Sequence, residues 1–119
     1  MYLLVVVLFS EKYVKEILER FVDIDVRGAT VINSQGMGTI LSEEIPIFSS
    51  LGYVLSGEDK RTNNFTIFSA IKTEKTLQEA IDTVLDVVKD INKPGTGIMI
   101  VLPVLKIYGL AENNIKKDA

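Results

Sequence analysis

Residues Leu3 to Phe9 form an unbroken apolar run, rich in valine, and this run constrains the fold more than any other stretch of the chain. The run is short for a helix and shows no alternation of polar and apolar residues, so it predicts a β-strand buried on both faces. It lacks the basic flank and cleavage site of a signal peptide and the length of a membrane span. A strand of this kind needs a covering layer on each side of its sheet.

Two later segments show the apolar periodicity of amphipathic helices. The first follows a candidate N-cap at Ser10, and the second begins at Thr73 or Thr76, since Thr76 and Glu79 have capping-box spacing. The sequence Asn-Lys-Pro-Gly at 92–95 predicts the end of the second helix. The two apolar stripes consist of Val14, Ile17, Leu18 and Phe21, and of Leu77, Ala80, Ile81, Val84, Leu85 and Val88.

Further strands are predicted at Ala29–Ser34, Phe65–Ile71 and Gly97–Leu102. The polar end of the first of these suits a sheet edge. The order β-α-β-loop-β-α-β is that of an α+β, ferredoxin-like fold, with both helices on one face of the sheet and the first and third strands in its middle. Because two helices cover only one face, we expect other copies of the chain to cover the apolar residues of the open face.

A long segment from Thr39 to about Asn63 shows neither helical nor strand periodicity. Loops longer than ~12–15 residues in compact domains are usually functional or disordered. This loop is too apolar to be idle in solvent, so it either packs as a hairpin on a neighbouring subunit or docks a target protein. The candidate docking residues are Ile45, Ile47, Phe48, Leu51, Tyr53 and Leu55.

Composition excludes several classes of function. A length of 119 residues fits one domain, and a net charge of -3 argues against a nucleic-acid binder, which normally carries a basic face. The absence of Cys and His removes thiol nucleophiles, Ser-His-Asp relays, disulfides and Cys/His zinc sites. We therefore predict no catalytic residues, no metal site and no enzymatic activity, and, without an export signal, a cytoplasmic location.

Two motifs resemble those of the nitrogen-regulatory PII signalling proteins. The stretch GATVINSQGMG at 28–38 is similar to their second strand, where Gly-x-Thr-Val leads to Gly-aromatic-Gly and the long T-loop. The stretch PGTGIMIVLPV at 94–104 resembles their glycine-rich B-loop and the strand after it. The resemblance covers roughly residues 1–108. It implies one domain at 1–110 with a T-loop at about 39–63, a polar tail at 111–119, and a homotrimer with inward-facing sheets.

The same resemblance implies a small effector in the clefts between subunits and a T-loop that engages a target protein, such as a membrane transporter. Thr30 matches a threonine near the adenine of a bound nucleotide. Glycines at such a site let backbone N–H groups converge on an anion. The other implied ligand residues lie at the T-loop base and in the B-loop: Gly36, Met37, Gly38, Thr39, Gly95, Thr96 and Gly97.

The chain departs from the family pattern where ATP-binding members carry cations. Thr39 and Ile40 replace a basic-plus-Gln pair, Ile98 replaces a lysine, and Gly109 and Ala111 lie nearest the positions of paired arginines. Phosphate contacts draw much of their strength from charge-assisted hydrogen bonds. We therefore expect no resident cofactor and a less charged effector, such as AMP, ADP or a cyclic nucleotide.

Two alternatives remain open. The chain could be a structural or adaptor protein that has lost ligand binding and uses the apolar loop for protein–protein contacts. It could also be a trimeric metal-tolerance protein of the CutA type, although the absence of His and Cys disfavours that reading.

Overall fold

A computed structural model describes residues 1–44 and 64–110. Within them the chain forms one four-stranded sheet of order β2-β3-β1-β4, in which all neighbouring strands are antiparallel. The elements are β1 (Tyr2–Leu8), α1 (Glu11–Asp23), β2 (Thr30–Ser34), α2 (Met37–Glu44), β3 (Asn64–Ile71), α3 (Glu74–Val87) and β4 (Gly97–Pro103). The α+β ferredoxin-like fold, the central first and third strands and the edge position of β2 are confirmed.

The core lies between the two long helices and one face of the sheet. Burial alternates along β1, where Leu4, Val6 and Leu8 are fully buried while the residues between them are only half-buried. Side chains from both helices pack on this face, so α1 and α3 lie on the same side as predicted. The packed residues include Ile67 and Ile71 of β3, Val14, Ile17 and Phe21 of α1, and Ala80 and Val84 of α3.

The opposite face of the sheet is an apolar surface that the single chain leaves uncovered. The strand register places Val5 of β1 between Phe68 of β3 and Ile100 of β4. We call this surface the open face, and its large apolar members are Leu3, Val5, Val7, Ile32, Phe68, Ile98, Ile100 and Leu102. The prediction that β1 is buried on both faces is therefore met on one face only within one chain.

The structure confirms Thr73 of the two predicted starts of the second long helix and corrects its predicted end. Thr73 is the N-cap of α3, because its Oγ1 accepts a hydrogen bond from the Thr76 N–H at 3.1 Å. Thr76 thus lies inside the first turn, and a capping box starting there is wrong. The same helix ends at Val87 and not at 92–95, since Val88 has left the helical conformation and hydrogen-bonded turns then lead the chain to β4.

The predicted loop is helical at its start. Residues 39–44 belong to α2, a short helix whose adjacent Ile40 and Leu41 give no extended apolar stripe for a periodicity search to detect. The remainder of the loop at 45–63 and the tail at 111–119 lie outside the described residues, as do the candidate docking residues. Across 1–44 and 64–110, none of the helices has the length and apolar character needed to cross a membrane.

Candidate functional site

The first part of the predicted ligand site forms the start of α2. The Gly36 carbonyl accepts the first helical hydrogen bond, from the Ile40 N–H at 3.1 Å, so Gly36 occupies the N-cap position. A glycine there has no side chain to satisfy the first N–H groups of the helix, which form its positive end. Met37 is exposed and Gly38 is buried. Thr39 follows them in the first turn of α2. The first backbone N–H groups of this helix are donors from which an anion can accept hydrogen bonds.

Asn64 is a polar residue of this region that the sequence did not single out. Asn64 is the first residue of β3 and lies opposite Ser34 of β2. Its side chain is buried next to Gly36, where an added Cβ would lie 3.2 Å from the Asn64 Nδ2. Among the described residues, its Oδ1 has no hydrogen-bond partner. An unsatisfied buried group of this kind destabilises the folded state by about 1–3 kcal/mol. The Asn64 Oδ1 is therefore an acceptor that lacks a hydrogen-bond donor.

Thr30 begins β2 and is exposed on the same face as Phe68, its partner in β3. The strand is fixed to β3 by its ladder and by two side-chain hydrogen bonds. The hydroxyls of Ser34 and Thr66 lie 2.9 Å apart, and the Ser69 hydroxyl donates to the Gly28 carbonyl. Thr30 therefore sits on a firmly held edge strand, at the end away from α2.

The second part of the predicted site is the turn at 95–97, where backbone geometry accounts for both glycines. Gly95 has a φ of 80°, a conformation that side chains disfavour. The Thr96 N–H donates to the Lys93 carbonyl at 3.2 Å and closes a turn. A Cβ at Gly97 would lie 2.7 Å from the Val7 carbonyl oxygen. Neither glycine needs a ligand to explain its presence.

The two glycine segments occupy the same end of the sheet but opposite edges. Ser34 at the end of β2 faces Asn64, and Leu8 at the end of β1 faces both Phe65 and Gly97. The strands β3 and β1 lie between the two edges, which puts the segments about 14 Å apart at the usual strand spacing. A single chain therefore does not bring them together around one small ligand.

Two surface depressions lie near the second segment. The larger, of about 580 Å³, is lined by Leu85 and by residues 89–93, and the smaller, of about 300 Å³, reaches Gly97. Lys89 and Lys93 supply cations at this edge. Within 1–44 and 64–110 there is no cluster of acidic residues that could hold a metal ion. Gly97, one of the predicted ligand residues, lines the smaller of these two depressions.

The fold matches a solved structure of a known class. The chain aligns with a structure described as Arabidopsis thaliana PII bound to citrate, with a TM-score of 0.54 over 87% of this chain and 77% of that one. At 16% sequence identity, this likeness concerns the fold alone. No protein-family model matches the chain, and no curated protein matches it by sequence. The chain therefore has a PII-like fold, consistent with the resemblance of its two motifs.

Proposed function

We propose that this chain is a PII-like regulatory protein that assembles as a homotrimer and binds a small effector between subunits. The observation that carries the proposal is the placement of the two glycine segments at one end of the sheet and on opposite edges. In a closed ring of copies, the β2 edge of one copy approaches the β4 edge of the next. The segments that are apart in one chain then face each other across a cleft.

The open face supports assembly independently. Four exposed apolar residues lie on this face together with half-buried residues of the two central strands: Ile32, Ile98, Ile100 and Leu102. Soluble monomers rarely expose contiguous apolar patches larger than a few hundred Å². Packing of the open faces against one another removes this surface from water, and each large side chain gains about 1.5–3 kcal/mol when fully buried.

The residues around the proposed cleft favour a ligand of low negative charge. The backbone N–H groups at the start of α2 suit an anionic oxygen, and the Asn64 amide, whose Oδ1 lacks a donor, suits a polar group beside it. Ile98 stands where a phosphate-binding cation is found in ATP-binding members of the family that the motifs resemble. We therefore propose AMP, ADP or a cyclic nucleotide as the effector. Binding of the effector favours one conformation of the segment between α2 and β3 over another. This segment then engages a target protein in the cytoplasm. The protein catalyses no reaction.

The proposal is tested by sedimentation of the purified protein together with a thermal-shift screen. The screen contains adenine nucleotides, cyclic dinucleotides, bicarbonate, 2-oxoglutarate and divalent metals, with citrate added because the matched PII structure is described as bound to it. A ligand at 100 times its Kd stabilises by about 2.7 kcal/mol. We expect a trimer and a shift with a nucleotide.

Two matched substitutions locate the site. Thr30→Val removes an exposed hydroxyl from β2, the edge strand that borders the proposed cleft, at the end of the strand away from α2. Thr76→Val makes the same change on α3, on the helix-covered side of the sheet. The nucleotide shift should fall with Thr30→Val and persist with Thr76→Val. Equal loss in both variants, or equal retention, would count against the cleft.

A second candidate function is a ligand-free adaptor. It is favoured by the finding that Gly95 and Gly97 are both explained by backbone geometry alone. A trimer that no compound in the screen stabilises would support this function over effector binding. A metal-specific shift would instead favour the CutA-type alternative.

A further inference from the structure

Three polar residues are buried within residues 1–44 and 64–110, and Asn64 differs from the other two. The hydroxyls of Ser69 and Thr83 donate to backbone carbonyls, so both are satisfied. Asn64 is only 7% exposed, and its Oδ1 has no hydrogen-bond partner among the described residues. A buried acceptor without a donor favours any rearrangement that gives it one, because water can then supply the missing hydrogen bond.

Two residues on the β2 side of Asn64 define its surroundings. Ser34 is its partner in the strand ladder, but the Ser34 hydroxyl lies 2.9 Å from the Thr66 hydroxyl and pairs with it. Gly36 approaches so closely that an added Cβ would lie 3.2 Å from the Asn64 Nδ2. Movement of Gly36 away from β3 would therefore give water access to the amide of Asn64.

The helix that begins after Gly36 has little to hold it in place. α2 has eight residues, and isolated helices shorter than ~12–15 residues are marginal in water. Gly36 has no side chain to cap it, and the first turn carries no acidic residue to balance the positive end of the helix. Met37 is 72% exposed and Ile40 is 39% exposed, so these side chains gain little from packing. Segments with few buried apolar contacts are those that open locally.

We infer that Asn64 sets a local equilibrium between two states of the start of α2. In the docked state, which the structure shows, Gly36 lies against the Asn64 amide and Oδ1 stays unpaired. In the released state, the first turn of α2 unwinds and moves away, and water donates to Oδ1. The unpaired acceptor raises the free energy of the docked state alone. Asn64 therefore shifts the population toward the released state.

This role rests on the proposed function in one respect, which is the use made of the two states. The backbone N–H groups proposed to hold the effector converge only while the first turn of α2 is formed. An effector that accepts hydrogen bonds from them binds the docked state and shifts the equilibrium toward it. Asn64 is thus a positioning residue, because it keeps the docked state from being fully populated before the effector arrives.

Hydrogen exchange of the full chain, measured without effector, tests the equilibrium. Asn64→Leu gives a side chain of similar size without an unpaired acceptor. It should slow amide exchange in α2 by about 5- to 150-fold, the range that corresponds to the penalty of an unsatisfied buried group. Asn64→Asp keeps the shape of the side chain but buries a charge, so it should speed the same exchange at neutral pH.

The matched controls make the same two changes at Asn33, an exposed asparagine on the neighbouring strand β2. Asn33→Leu and Asn33→Asp should leave the exchange of α2 unchanged. The amides of β1 in the same samples separate local release from general stability, because a central strand exchanges through unfolding of the whole domain. Asn64→Leu should therefore slow exchange in α2 by a larger factor than in β1.

Equal slowing in α2 and β1, or unchanged exchange of α2 in both Asn64 variants, overturns the equilibrium. If Asn64→Leu does not fold, Asn64→Asp decides alone, and exchange of α2 no faster than in the natural protein overturns it. The proposed function fails separately. A protein that shows the expected exchange but binds no nucleotide keeps the equilibrium and loses the effector. A nucleotide-binding protein without the exchange changes loses only the role of Asn64.

Discussion

Gly97 at the start of β4 lies so close to the Val7 carbonyl oxygen of β1 that an added Cβ would be only 2.7 Å from that oxygen. The same Cβ would lie 2.9 Å from Leu8 Cδ2. The contact is with backbone, which cannot move aside as the end of a flexible side chain can. Gly97 is therefore required by the approach of two strands, whether or not a ligand lies nearby.

Gly97→Ala should consequently destabilise the protein without any ligand present. Forcing a methyl group into packed structure costs about 1–3 kcal/mol. Gly28→Ala is the matched control, because no atom lies within 4 Å of a Cβ at that position. Urea unfolding of both variants should show a lower midpoint for Gly97→Ala and little change for Gly28→Ala. Equal midpoints would contradict the close approach of β4 to β1.

Capping of α3 gives a second prediction. Thr73→Ala removes the hydroxyl that accepts the Thr76 N–H, and loss of an N-cap side chain typically costs ~1 kcal/mol. Thr76→Ala removes only a hydroxyl that lies 3.1 Å from that of Thr73. Thermal unfolding should therefore rank Thr73→Ala as the less stable variant. The reverse ranking would restore the capping box at Thr76 that the sequence suggested.

The open face gives a third prediction, for which one strand supplies a matched pair. Ile100 and Val101 are almost equally exposed, at 42% and 41%, but they lie on opposite faces of β4. Ile100→Glu places a charge on the open face and should shift the protein from trimer to monomer. Val101→Glu places it on the helix side and should leave the trimer intact. Sedimentation of the two variants distinguishes them, and identical behaviour would argue against assembly through the open face.

An ion pair between the two long helices gives a prediction about pH. Arg20 Nη1 lies 2.7 Å from Asp86 Oδ2, and Lys89 Nζ lies 3.1 Å from Asp86 Oδ1. Hydrogen bonds from Arg20 and then from Lys89 lower the pKa of the Asp86 carboxyl in the folded state. Because the folded pKa lies below the unfolded one, the stabilisation is present above the unfolded pKa and is lost as pH falls through the folded pKa.

Asp86→Asn should therefore lower the melting temperature near neutral pH and have little effect in strong acid. The carboxylate is exposed, so the effect is small and should shrink further in ~1 M salt, where such pairs are screened. Melting curves of the natural protein and the variant, recorded in steps from about pH 7 to about pH 2, cover the ordinary carboxyl pKa and the range below it in which the stabilisation is lost. A difference that is as large in acid as at neutral pH would show that the pair does not act through the charge of Asp86.

The stretch Leu3–Phe9 illustrates how far the sequence determined the fold. Its apolar residues predicted a central strand, and the stripes around Val14 and Val84 predicted the two helices that cover one face. The apolar repeats of two residues in strands and 3.6 residues in helices are local patterns that can be recognised directly in the sequence. A short helix such as α2 contains too few turns for its apolar repeat to be detected, so residues 39–44 were predicted as loop.

What only the tertiary structure decided concerns distances between residues far apart in the chain. The family resemblance implied that the two glycine segments belong to a site between subunits, and the sheet order shows that within one chain they lie on opposite edges, with β3 and β1 between them. Nothing in the sequence indicated that Asn64 is buried beside Gly36 or that Gly97 meets Val7. These facts follow from strand pairing and register, which depend on packing across the whole sheet and not on any single segment.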